Sequence, residues 1–199
     1  MKLTYIIALL LLFNVPSYAA GDAQAGQKKS GQCAACHGAD GNTNTPSWPK
    51  LAGQHPEYLA KQLHDFRDGK RQNPQMSPMA SHLSDADIAD LAAYFSTQTR
   101  APDTAKPKDL ASGEHLYRAG DANRGLAACM ACHGPTGDGN PAALYPKISG
   151  QHAGYMAVQL KQFKAEALAN DRNGVMRDIA SRMSNADIEA VSNYIQGLH

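Results

Sequence analysis

Two pentapeptides carry the chemistry most visible in this sequence: Cys33-Ala34-Ala35-Cys36-His37 and Cys129-Met130-Ala131-Cys132-His133. Together they use all four cysteines of the chain. Two thiols three positions apart, with an imidazole directly after the second, are spaced to add across the two vinyl groups of one haem and to present the histidine to its iron. A redox dithiol or half of a zinc site would use similar spacing. No further cysteine remains to complete a zinc cluster, and no βαβ pattern surrounds either motif. The expectation is therefore two covalently attached c-type haems, one on Cys33 and Cys36 and one on Cys129 and Cys132, with His37 and His133 as axial ligands of the irons.

The second axial ligand separates a closed electron-transfer iron from one open to oxygen or peroxide. After the first motif the candidates are Met76, Met79 and the histidines His55, His64, His82 and His115. An internal duplication narrows them. Cys33 and Cys129 are offset by 96, and Asp40-Gly41-Asn42 is echoed by Asp138-Gly139-Asn140. Pro49-Lys50-Leu51-Ala52-Gly53-Gln54-His55 matches Pro146-Lys147-Ile148-Ser149-Gly150-Gln151-His152, and Tyr58, Gln62, Leu63 and Phe66 recur as Tyr155, Gln159, Leu160 and Phe163. Leu83-Ser84-Asp85-Ala86-Asp87-Ile88 matches Met183-Ser184-Asn185-Ala186-Asp187-Ile188 at an offset of 100, so the second copy has gained three residues before this block. Counted back from the two serines, Met76 pairs with Met176, whereas Met79 pairs with Ile179. Both conserved positions of the repeat follow polar segments read as loops, where a core filler is out of place. Met76 and Met176 are expected as axial thioethers, with Met79 the competitor at the first iron.

His55 and His152 recur too, and read as surface or capping residues ahead of a helix rather than as ligands. Pro49 and Pro146 offer a carbonyl that could take the Nδ1 hydrogen of the axial histidine and fix its ring; the plainer reading is a turn proline.

Elements able to hold these groups follow from the periodicity. Each half reads as a short helix running into the cysteine motif, a middle helix and a terminal helix. Tyr58, Leu59, Leu63 and Phe66, and Tyr155, Val158, Leu160 and Phe163, fall at near-helical spacing. The terminal helices should begin at Ser84 and Ser184, with Asp87 and Asp187 completing capping boxes. No segment alternates well enough for a strand. The fold class is all-α, with two tandem domains, each a small helical fold around one haem. Such short domains commonly need a covalent or metal staple.

Leu3 to Val15 is an almost unbroken apolar run after Lys2, which reads as a secretory signal peptide over residues 1–19, cleaved after Ala19. The run is far short of the roughly 20 residues that cross a bilayer. Residues 20–100 are then the first domain, 101–112 a linker broken by Pro102 and Pro107, and 113–199 the second domain. Loss of Lys2 leaves 18 basic and 18 acidic side chains, which argues against a nucleic-acid partner.

With these residues in view, the chain resembles the dihaem cytochrome c4 family: tandem class I cytochrome c domains, a Gly21-Asp22-Ala23 start, Pro-Lys-Leu-Ala-Gly-Gln, Leu-Ser-Asp-x-Asp-Ile and a Tyr194-to-His199 end. The resemblance covers essentially the whole chain after the leader. It implies a periplasmic, loosely membrane-attached carrier of single electrons between respiratory redox proteins, from a quinol-oxidising donor to a terminal oxidase, and no catalytic residue. The family's methionine ligands fall on Met76 and Met176. Trp48, Tyr145, Phe66 and Phe163 are expected as pocket walls or core. Two other readings stay beside it: a dihaem peroxidase-type enzyme, which should lack a methionine in one repeat, and the haem subunit of a dehydrogenase complex.

Overall fold

The computed structural model describes residues 21–199; the leader read at residues 1–19 lies outside the described residues. Among them the ordered elements are α-helices and short 3-10 turns, with two isolated bridges (Asp121 with Leu126, Asn140 with Tyr145) in place of any strand. The first domain contains α1 (Ala23–Lys29), α2 (Gly31–His37), α3 (Pro56–Arg67), α4 (Met76–Ala80) and α5 (Asp85–Ser96). The second contains α6 (Leu110–Ala119), α7 (Met130–His133), α8 (Ala153–Lys164), α9 (Val175–Ser181) and α10 (Asn185–Gln196). Helix α6 starts within the stretch read as a linker.

The three-helix plan per half needs two additions. The helix leading to the cysteine motif is two helices, meeting at Ser30 in the first domain and separated by a turn in the second. The polar loops read around Met76 and Met176 are instead the starts of short helices, α4 and α9, each too brief to show a period of its own. The extra residues of the second copy sit in the loop before α9, where Glu166, Asn173 and Gly174 take positive φ and turn the longer chain back.

Both terminal helices carry the expected capping boxes. The Asp87 and Asp187 N–H groups donate to Ser84 and Ser184 Oγ at 3.1 Å, and each aspartate accepts the serine N–H in return, at 3.0 and 2.7 Å. Ser184→Ala leaves a helix N-terminal donor unpaired and should destabilise the second domain by about 1 kcal/mol in denaturant unfolding.

Around these helices the packing is the same in both domains: α1 lies on α5 and α6 on α10, α3 and α8 cover the other side, and α4 and α9 sit on α3 and α8. Gly26 and Gly113 make the first contact possible, since a Cβ there would stand 2.0 Å from the Asp90 carbonyl oxygen and 2.2 Å from that of Ala190. The apolar faces bury Leu59, Leu91 and Phe95 in one core, and Tyr117, Ile188 and Val191 in the other.

The domains join through a mirrored set of polar contacts. Gln151 pairs with the backbone of Lys50, and Gln54 with that of Lys147. His55 Nε2 meets the Asp138 carbonyl at 2.6 Å, and His152 Nε2 meets that of Thr43 at 2.8 Å. Arg71 donates to Gln62 of its own domain and to Gln159 and Tyr155 of the other, with its guanidinium 4.7 Å from the Phe66 ring centre. Arg100, between the domains, donates to the Ala52 and Ser149 carbonyls at 2.9 and 3.0 Å, and its burial pulls its pKa down to about 10.

Candidate haem sites

The two motifs sit where helices α2 and α7 end. Gly38 and Gly134, with φ of 82° and 78°, stop the helices directly after His37 and His133. A side chain is strained at such a φ, whereas glycine is not. None of the four cysteines is paired in a disulfide; Cys36 is exposed and Cys33, Cys129 and Cys132 are half-buried. Burial pushes the Cys33 thiol pKa up and that of Cys129 to about 11, so these two thiols are protonated at neutral pH before haem is attached.

His37 and His133 are 6% and 8% exposed. Desolvation holds both imidazoles below their ordinary pKa despite a hydrogen bond to a carbonyl. They are therefore neutral at pH 7, the form that ligates a metal. Each Nδ1 lies 2.9 Å from a prolyl carbonyl, Pro49 for His37 and Pro146 for His133, which places the proton on Nδ1 and leaves Nε2 with its lone pair. Of the two readings of these prolines, the orienting carbonyl is the one the structure bears out.

Local backbone explains how Pro49 and Pro146 reach the rings. The Gly41 carbonyl accepts from Leu51 and Ala52 N–H at 2.8 and 3.2 Å, and that of Gly137 from Ile148 and Ser149 N–H at 2.8 and 3.1 Å, both glycines having positive φ. Gly41 is thus the counterpart of Gly137. The echo of Asp40-Gly41-Asn42 in Asp138-Gly139-Asn140 is displaced by two residues from the structural equivalence.

Met76 and Met176 are half-buried at the starts of α4 and α9. The Met76 N–H is held by Asn73 Oδ1 at 2.9 Å. Met176 and Cys129 pack on one core cluster; in the first domain Cys33 packs on the cluster that contains Leu59 of α3, the helix on which α4 lies. The helix carrying each cysteine motif and the helix carrying each methionine are not extensively packed on one another. Partly buried Leu51, Leu63 and Leu83 in one domain, and Met156 and Ile179 in the other, add apolar surface beside them. Met79 is 41% exposed, and Met183, at 3%, is core. Paired thiols, a neutral imidazole with a free Nε2, a thioether and incompletely covered apolar walls are the donor set a covalent haem needs, so the residues fit the group.

Phe66 is buried, while Trp48, Tyr145 and Phe163 are half-buried; the Tyr145 ring centre is 6.2 Å from that of His133. His55 and His152 do stand at helix N-cap positions but make no capping bond; they bridge the domains. The role of the Gly-Gln-His triplets, and of the Tyr58/Tyr155 and Gln62/Gln159 repeats, was not legible from the sequence. Its one signal was that these polar residues recur in both copies.

Comparison with known proteins agrees with two haem-binding domains in tandem. The family model described as cytochrome c matches residues 21–99 and 110–199. A cytochrome c4 of Pseudomonas aeruginosa is 48% identical over 197 residues, covering 98% of this chain and 98% of the relative. A thiosulfate dehydrogenase electron acceptor of Thiomonas intermedia is 38% identical over 174 residues, covering 84% and 78%. The crystal structure of reduced recombinant cytochrome c4 from Pseudomonas stutzeri superimposes with a TM-score of 0.88 at 47% identity, covering 90% of this chain and 100% of that one.

Proposed function

Because the chain belongs to the cytochrome c family, as a two-domain member of the cytochrome c4 type, we propose that it is a periplasmic shuttle passing single electrons from a quinol-oxidising respiratory donor to a terminal oxidase. Its two haems c are attached covalently, at Cys33 and Cys36 and at Cys129 and Cys132. A bound haem supplies reversible one-electron Fe(III)/Fe(II) chemistry.

The protein's part is to hold that chemistry to electron transfer. His37 and His133 present Nε2 in a fixed orientation, because Pro49 and Pro146 hold the opposite ring nitrogen. Met76 and Met176 would each supply an iron with a thioether, a soft ligand that favours the reduced state. The buried apolar surroundings act in the same direction by disfavouring extra charge. The observation that carries the reading is the sameness of the two candidate donor sets: each repeat carries two cysteines, a histidine and a methionine at matching positions, which is what a carrier with both irons closed to substrate would need. A dihaem peroxidase, which requires one open iron, would be expected to lack the methionine in one repeat, and both repeats carry it.

The purified holoprotein should take up two electrons per chain in a reductive titration, fail to bind carbon monoxide when reduced at neutral pH, and show no peroxide turnover. Ready carbon monoxide binding would overturn the reading. The exported form should begin at Ala20 in N-terminal sequencing. The likeness to a thiosulfate dehydrogenase electron acceptor favours a second reading, the haem subunit serving a dehydrogenase; stable co-purification with a dehydrogenase would select it.

A further inference from the structure

The mirrored glutamine contacts do more than join two domains. Pro49 and Lys50 share one peptide group, whose oxygen accepts the His37 Nδ1 hydrogen at 2.9 Å while its N–H donates to Gln151 Oε1 at 2.8 Å, across the interface. In the second domain the peptide of Pro146 and Lys147 accepts from His133 Nδ1 at 2.9 Å and donates to Gln54 Oε1 of the first domain at 2.8 Å. Each glutamine also donates its Nε2 hydrogen to the carbonyl of the same lysine, at 2.9 and 2.8 Å. Flipping either amide would set donor against donor and acceptor against acceptor, so the network fixes its orientation.

A peptide group drawn upon at its N–H becomes a better acceptor at its oxygen, because the two ends share one π system. Bonds in such a chain strengthen each other by roughly 10–30% each in condensed-phase estimates. Little water competes here: Lys50, Gln54 and Gln151 are 5%, 6% and 4% exposed. A stronger pull on the Nδ1 hydrogen makes Nε2 a better electron donor, which favours the oxidised iron.

The geometry points to Gln54 and Gln151 as positioning residues for the axial imidazole of the opposite domain: Gln151 acts on His37 and Gln54 on His133, so the redox balance of each haem depends on docking of the domain that carries the other. The inference rests on the axial assignment of His37 and His133.

The test uses the reduced, diamagnetic, nitrogen-15-labelled holoprotein, reading the two Nδ1–H resonances and the potential of each haem. Gln151→Leu should move the His37 Nδ1–H resonance upfield and raise the first haem's potential, leaving His133 and the second haem in place. A roughly threefold change in that iron's oxidised-to-reduced balance corresponds to about 28 mV, at 59 mV per tenfold for one electron. Gln54→Leu should do the converse. Asn170→Ala, which removes side-chain bonds to Gln62 and Asp65 across the same interface, should move neither resonance. Gln151→Glu, studied below the pKa of its carboxyl so that the group accepts from the Lys50 N–H and donates to the Lys50 carbonyl as the amide does, should restore the His37 resonance. If Gln151→Leu moves both haems alike, neither, or only His133, the glutamine is a clamp and the inference fails. Should the leucine variant let the domains part, Gln151→Glu decides: recovery at His37 upholds the relay, and no recovery overturns it. A wrong axial assignment shows separately, in the unaltered protein, as His37 ring protons without the upfield ring-current shift of a haem-bound imidazole.

Discussion

Met76→Ala should reduce the weak near-infrared sulfur-to-iron band of the oxidised protein to half its intensity, and the same change at Met176 should remove the other half. The reason is local to each iron: Met76 and Met176 are the methionines that both repeats carry at the matching position. Met79, one helical turn from Met76, is 41% exposed, and its counterpart in the other domain is Ile179, which has no sulfur. Met79→Ala should therefore leave the band at full strength. Each alanine variant should lower the potential of its own haem, since the thioether that favoured the reduced iron is gone. The reduced variant should also bind carbon monoxide at one haem per chain. A full-strength band in Met76→Ala would pass the first site to Met79 or to another ligand.

Gly113→Ala should strongly destabilise the second domain. The new methyl carbon would stand 2.2 Å from the Ala190 carbonyl oxygen and 2.9 Å from Tyr194 Cβ, neither of which can swing aside as the end of a flexible side chain does. Helices α6 and α10 must then separate, opening the core built on Tyr117, Ile188 and Val191. Overpacking of this kind costs about 3 kcal/mol, or roughly 12–24 °C in the melting temperature of a domain this size. Gly26→Ala should do the same in the first domain, where the Asp90 carbonyl oxygen is 2.0 Å away. Gly31→Ala is the control: it is helical with nothing within 4 Å, and it should be neutral or gain up to about 1 kcal/mol. Equal melting temperatures for Gly31→Ala and Gly113→Ala would show that the close helix crossing carries no such load.

Nothing in the local pattern around Gly26 or Gly113 announces these crossings. Each glycine lies inside a helix, where it is intrinsically unfavourable, and only the approach of a second helix accounts for it. The same holds for Met76 and Met176. Their equivalence could be counted along the repeat, but α4 and α9 are so short that the segments read as loops.

What the sequence determined alone is whatever depends on spacing within a few residues: the two thiols and the imidazole of each attachment site, the serine and aspartate of each capping box, and the register of the two methionines. Such features are fixed by covalent reach and helical pitch, which are the same wherever the segment lies. Tertiary structure decided the rest, above all the meaning of Gly-Gln-His. Gln54 and Gln151 find their partners 93 and 101 residues away, in the other domain. A buried amide must be paired, and that requirement is written in its chemistry. The identity of its partner is set only when the two halves dock, because a hydrogen bond depends on distance in space and not on separation along the chain.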